Sequence, residues 1–252
     1  MSRCFKALPL ALALAALSIV TASCGSGSNV PAQVRFVNAI PDTAQYGTAL
    51  DIDVAGTKDF TDVPFQGFQP SSGYTKIASG GAALQAVRTG TTIPVFIADI
   101  SLNASTQNTL VATGFATSGN AVLISPVDNN LPPSNGNEKF RVINASPSSG
   151  PMGVDIYIVP VGSTTSITPP ATISNVAYRS ASTYASVAYN PNFVQGFNYT
   201  MFVTATGTTS ILFSQTLSAG SSSAGSIRTL VLTDQQNITQ LNPSALVLND
   251  LN

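Results

Sequence analysis

A chain of 252 residues in which 44% are hydrophobic and only 8% charged has too much apolar matter for a disordered tail, and its formal net charge of −1 leaves no basic face for nucleic acid. Histidine is absent, which excludes Ser-His-Asp and Cys-His nucleophiles, histidine-based zinc sites and histidine acid–base catalysis. The length allows one or two domains, each large enough to bury its own core.

The N-terminus reads as an export signal. Met1-Ser2-Arg3-Cys4-Phe5-Lys6 is a short basic start, and Ala7 to Val20 is an apolar run of signal-peptide length, shorter than the ~20 residues of a membrane-spanning helix. Val20-Thr21-Ala22-Ser23-Cys24-Gly25 follows and resembles the lipobox of bacterial lipoproteins, with Thr21 where Leu is usual. The expectation is a signal peptide over 1–23, lipidation of Cys24 and a flexible tether over 24–33. Gly25 resembles the residue choice that lets a lipoprotein proceed to an outer membrane, so the expected address is the lipid-anchored cell envelope. Cleavage there removes Cys4, Arg3 and Lys6 and consumes Cys24, leaving no thiol for a disulfide and an acidic balance.

Past the tether, Val34 to Asn38 is the first strand, closed by the turn chemistry of Asn38-Ala39-Ile40-Pro41-Asp42. Leu50, Ile52 and Val54 alternate with Asp51 and Asp53, the period of a half-buried strand, and Gly56-Thr57 turns the chain. Asp62 to Phe65, Tyr74 to Ile77 and Ala83 to Arg88 are short strands between Pro, Ser and Gly clusters. Thr89-Gly90-Thr91-Thr92 is a hairpin turn into Ile93 to Asp99. Thr109-Leu110-Val111 and Ala121 to Ile124 complete the set, and Pro126 to Glu138, with Leu131-Pro132-Pro133 at its middle, reads as an exposed linker.

The second half repeats the first. Arg141 to Pro147 echoes Arg35 to Pro41, and Val154 to Ile158 echoes Leu50 to Val54. Thr206 to Thr209 echoes Thr89 to Thr92, Thr229-Leu230-Val231 echoes Thr109 to Val111, and Ala245 to Leu248 is aligned with Ala121 to Ile124. No stretch has helical periodicity. The expected architecture is all-β: two tandem Ig-like antiparallel β-sandwiches, over 34–125 and 139–252, joined by the 126–138 linker.

The order of Val34-Arg35-Phe36-Val37-Asn38-Ala39, Leu50 to Val54, Asp62-Val63-Pro64-Phe65, Ser72-Gly73-Tyr74 and Thr89 to Thr92 resembles the bacterial envelope family named domain of unknown function 4397. Asn175-Val176-Ala177-Tyr178 and Ser182-Thr183-Tyr184 stand for the third and fourth of these pieces in the second copy. The resemblance implies a secreted or membrane-anchored β-sandwich, often repeated, and no known activity.

Candidate chemistry is sparse. Asp51 and Asp53 share a strand face, as a paired-carboxylate glycosidase or an oxygen-liganded calcium site would require, but Tyr157 stands in the second copy where Asp53 stands in the first. Lys76 is a weak Ser-Lys candidate. Arg35 and Arg141, Asn38 and Asn144, and Asp51 and Asp155 hold equivalent places, read as groups that satisfy backbone at strand ends or cap a sandwich edge. Tyr178, Tyr184, Tyr189 and Tyr199 with Phe193 and Phe197 form either an aromatic platform for a sugar or protein, or ordinary core packing. The expectation is a non-catalytic envelope module without cofactor or metal, whose partners are the membrane through its lipid and an envelope protein or polysaccharide. A glycan-active or glycan-binding protein using Asp51 and Asp53 or the tyrosines is the alternative.

Overall fold

The computed structural model describes residues 30–45, 49–162, 167–192, 194, 196–218, 224–234 and 243–250. The signal segment, Cys24 and most of the tether lie outside the described residues.

The first half folds as β1 (Ala32–Asn38), a short helix α1 (Pro41–Gln45), β2 (Leu50–Val54), β3 (Thr57–Val63), β4 (Phe68–Gln69), β5 (Thr75–Ile77), β6 (Gly80–Arg88), β7 (Pro94–Leu102), β8 (Gln107–Thr113), β9 (Val122–Ile124) and β10 (Val127–Asp128). The second is β11 (Asn137–Asn144), a 3-10 turn (Pro147–Ser149), β12 (Val154–Pro160), β13 (Ile173–Val176), β14 (Ser180–Ala181), β15 (Ala185–Ala188), β16 (Phe197–Ala205), β17 (Ile211–Ser218), β18 (Ile227–Asp234) and β19 (Pro243–Asn249). Each half is a sandwich of two sheets. The outer sheets, β3-β2-β6-β7 and β13-β12-β16-β17, are antiparallel throughout. The inner sheets are built on β1 and β11, and each contains one parallel pairing, β1 with β8 and β11 with β18. A parallel neighbour needs a long crossover, which the outer-sheet strands supply between β1 and β8 and between β11 and β18. The all-β sandwich expectation holds, with that one pairing per copy departing from a purely antiparallel scheme.

Alternation along β1 and β11 explains how the halves sit together. Val34 and Phe36, with Leu110 and Ala112 of β8, enter a core shared with Leu50, Ile52, Phe60 and Leu84 of the outer sheet. Phe140, Val142, Leu230 and Leu232 do the same in the second half against Ile156, Tyr199 and Met201. The opposite faces are buried too: Val37, Ala39, Val111 and Ile124 pack against Ile143, Ala145, Val231 and Leu248 in a third apolar cluster that belongs to both halves. The inner sheets therefore lie against each other, and the chain stacks four sheets with three apolar layers between them.

Two sequence readings are corrected here. The 126–138 segment is not an exposed linker throughout: Val127 and Asp128 pair with β8, Asp128 is buried, and Asn137 and Glu138 already belong to β11. The last strands also align two residues away from the expected match, because Val111 faces Ile124 whereas Val231 faces Leu246. Pro126 breaks that strand in the first copy, while β19 runs unbroken, and the shift brings Asp128 and Asp250 to equivalent places.

Candidate functional site

The repeated aspartates act as clasps on a strand irregularity. Asp62 and Asn175 take left-handed backbone angles (φ 54° and 53°), at the points where β2 and β12 slip register against β3 and β13. Asp and Asn tolerate that conformation better than most residues, and the slip turns an N–H out of the ladder. Asp51 accepts the Asp62 N–H at 2.9 Å and Asp155 accepts the Asn175 N–H at 2.8 Å. Both also reach the turn of the repeated hairpin: Thr89 Oγ1 donates to Asp51 and the Gly207 N–H donates to Asp155. Lys58 Nζ fills the remaining side of Asp51 at 2.7 Å. Burial alone raises the Asp51 carboxyl, but Lys58 and the two other donors outweigh it and hold the group below the ordinary carboxylate range.

That environment does not suit Asp51 as a general acid, which needs a raised pKa, and where a metal would need a free oxygen Asp51 meets an ammonium. Among the described residues no three His, Cys, Asp or Glu side chains cluster as a metal site. One oxygen of Asp53 is buried without a hydrogen-bond partner. Lys76 is exposed, so the buried lysine that Ser-Lys catalysis requires is not at this position.

Nor do the tyrosines form one platform. Tyr199 is wholly buried, packs edge-on to Phe140 at 5.6 Å and donates to the Ala188 carbonyl; burial pushes its phenol up to about 12. Half-buried Tyr178 lies under the Arg179 guanidinium. Phe193 lies outside the described residues, and Phe197 and Tyr189 are partly buried.

Tyr184 instead belongs to the seam between the inner sheets, where the repeated arginines also lie. Arg35 donates to Asp250 at 2.7 Å and to Thr109 at 2.8 Å; Arg141 donates to Asp128 at 2.6 Å and to Thr229 at 2.9 Å. Thr109 and Tyr74 donate to Asp128, as Thr229 and Tyr184 donate to Asp250. Each arginine lies over a tyrosine ring, Arg35 over Tyr74 at 5.0 Å and Arg141 over Tyr184 at 4.8 Å. The edge-cap reading of the arginines is thus corrected: they are ion-pair partners that cross between the halves. Burial works against the Arg141 cation, yet Asp128, with Tyr184 and Asp250, raises its pKa. Burial likewise pushes both phenols, Tyr74 and Tyr184, well above the usual tyrosine range.

Beside this network the seam opens as a cleft of 440 Å³ lined by Asn129, Lys139, Arg141, Ser182, Thr183 and Tyr184. Lys139 Nζ donates to the Asn129 carbonyl at 2.7 Å and to the Leu131 carbonyl, and burial holds it below the usual lysine range. Ser182 and Thr183 also line a second hollow of 280 Å³ between β13 and β14, whose other polar walls are Thr172, Ser174, Asn175 and Ser180. The two hollows adjoin through Ala181, Ser182 and Thr183, and together they present hydroxyls and amides with the Lys139 ammonium at the seam end.

The family described as "Domain of unknown function (DUF4397)" matches residues 32–157, which is the first sandwich, the junction, β11 and the start of β12. A comparison with curated proteins finds no match. Among solved structures the chain is similar to one described as "Alpha-glucan binding by a streptococcal virulence factor", at 9% identity and a TM-score of 0.27 over 81% of this chain and 94% of that one. A second, described as "Alpha-glucan recognition by family 41 carbohydrate-binding modules from streptococcal virulence factors", gives 10% identity and a TM-score of 0.25 over 79% and 92%.

Proposed function

The chain belongs to the DUF4397 family, and from that premise we propose that it is a lipid-anchored envelope module without catalytic chemistry, whose two joined sandwiches bind or brace a partner outside the cytoplasm. The observation that carries this reading is the commitment of six buried acids to structure. Asp51 and Asp155 clasp strand irregularities, Asp128 and Asp250 hold the seam, Glu138 pairs with Arg228, and Asp42 accepts from the N–H groups of Ala116 and Thr117. Groups used this way are held by donors on several sides and are poorly placed to move protons for a substrate. The N-terminal sequence supplies the anchor: a basic start, an apolar run and small residues before Cys24. The test is radiolabelled palmitate incorporation, expected in the native chain and lost in Cys24→Ser; equal labelling of both, or labelling of neither, removes the anchor from the proposal.

One observation favours a glycan as the partner. The hollow between β13 and β14 is walled by the hydroxyls and amides of Thr172, Ser174, Asn175, Ser180, Ser182 and Thr183, which suit wet recognition of a polyhydroxyl chain of modest affinity. Electrophoresis through gels containing neutral polysaccharides is expected to retard the native protein, and Thr183→Trp, which fills the part that the two hollows share, is expected to run freely. Equal mobility of the two proteins in every polysaccharide removes the glycan reading and leaves a protein partner.

A further inference from the structure

The contacts at the centre of the seam match themselves under exchange of the two halves. Arg35 on β1 reaches Asp250 just past the last strand of the second half, and Arg141 on β11 reaches Asp128 at the end of the last strand of the first. Thr109 and Thr229 hold corresponding places on the parallel partners β8 and β18, each the register partner of its half's arginine. The apolar part repeats the correspondence, Val37 with Ile143, Ala39 with Ala145 and Val111 with Val231. A surface that is complementary to its own equivalent is what a two-fold dimer uses, and here the two copies are carried on one chain. The described covalent connection across it runs through residues 129–136, where Leu131 is 73% exposed.

We propose that this surface also closes between two copies of the chain, the first half of each packing on the second half of the other, so that both seams form in trans. The exchanged dimer repeats every seam contact of the single chain, so its formation changes no interface chemistry; it costs association entropy and is favoured by concentration.

Paired charge reversals test this on the mature chain. Arg35→Asp and Asp250→Arg each set like charges across one ion pair, and each alone is expected to melt about 10 °C below the parent. In an exchanged pair containing one chain of each kind, the two substitutions face each other across one seam and the other seam is native. Refolding an equimolar mixture is therefore expected to recover the parent melting temperature in a complex of twice the chain mass that contains both variants. A mixture that melts as the two separate variants, at single-chain mass, overturns the proposal. Where a reversed charge prevents folding, the native side chains supply the second arm. Intact tagged and untagged chains carrying a protease site after Ser134 are mixed at high concentration, and the mixture is then cut. Capture of tagged first halves with untagged second halves supports closure in trans, and tagged halves that carry only their original partners overturn it.

Discussion

Asn38 and Asn144 end the first strand of each copy and tie it to the outer sheet. Asn38 accepts the Ile40 N–H at 3.1 Å and donates to the Val63 carbonyl at 3.0 Å; Asn144 accepts from Ser146 at 3.3 Å and donates to Val176 at 3.0 Å. Both side chains are fully buried, so alanine leaves an amide and a carbonyl without partners in each case. Urea unfolding is expected to show a loss of about 2 kcal/mol for Asn38→Ala and a similar loss for Asn144→Ala. A cost below about 0.5 kcal/mol at either position contradicts this account of the turn. Asp51 adds a pH dependence. Its folded pKa is lowered, so its contribution is present above the unfolded carboxylate value of about 4 and is lost as pH falls through the folded value. Acid titration of stability in the native chain is expected to fall more steeply below about pH 4 than in Asp51→Asn, and parallel curves contradict the clasp.

The strands that carry these residues were legible to different degrees. The repeat, the hairpin turns at Thr89 and Thr206, the asparagine turns and the aspartates of β2 and β12 all follow from local pattern, since each is satisfied within a few strands of itself. Placement of the inner sheets is a different matter. Val34-Arg35-Phe36-Val37 lacks the polar positions of a strand with one wet face, and the arginine, read as an edge group, masked the fact that both faces of β1 are dry. Its partner Asp250 lies at the far end of the sequence, and unequal loops and the two-residue shift of the last strand keep the arginine–aspartate correspondence from standing out. The dry environment of the seam has a measurable signature at alkaline pH. Tyr74 and Tyr184 hold their protons above the unfolded tyrosine value of about 10, so the unfolded chain ionises first and stability falls as pH rises past that point. Tyr184→Phe is expected to flatten the alkaline limb of a stability titration, with an unaltered slope counting against the seam as the origin of the effect.

Three apolar layers through four sheets make the coupling of the halves a quantitative question. Each sandwich has its own core, and the seam adds a third apolar cluster flanked by two buried arginine–aspartate pairs. Ion pairs of this kind contribute little over apolar groups of the same shape, because desolvation offsets their attraction, but loss of one partner strands the other charge. Arg35→Ala leaves Asp250 facing Thr229 and Tyr184 without its cation, at an expected cost of about 3–5 kcal/mol. Arg35→Leu combined with Asp250→Leu removes both charges and is expected to recover most of that loss. The calorimetric shape separates the seam from the cores. With the seam intact, neither half unfolds without exposing Val37, Val111, Ile143 and Val231, so the native chain is expected to give one transition whose calorimetric and van't Hoff enthalpies agree. Arg35→Ala removes one of the two ion pairs that join the halves, along with the Thr109 and Tyr74 contacts of its own half, so its transition is expected to broaden and resolve into two, each matching one sandwich core. Two resolved transitions in the native chain mean that the seam contributes less than either core, and an unsplit transition in Arg35→Ala means that the apolar cluster couples the halves without help from the ion pairs.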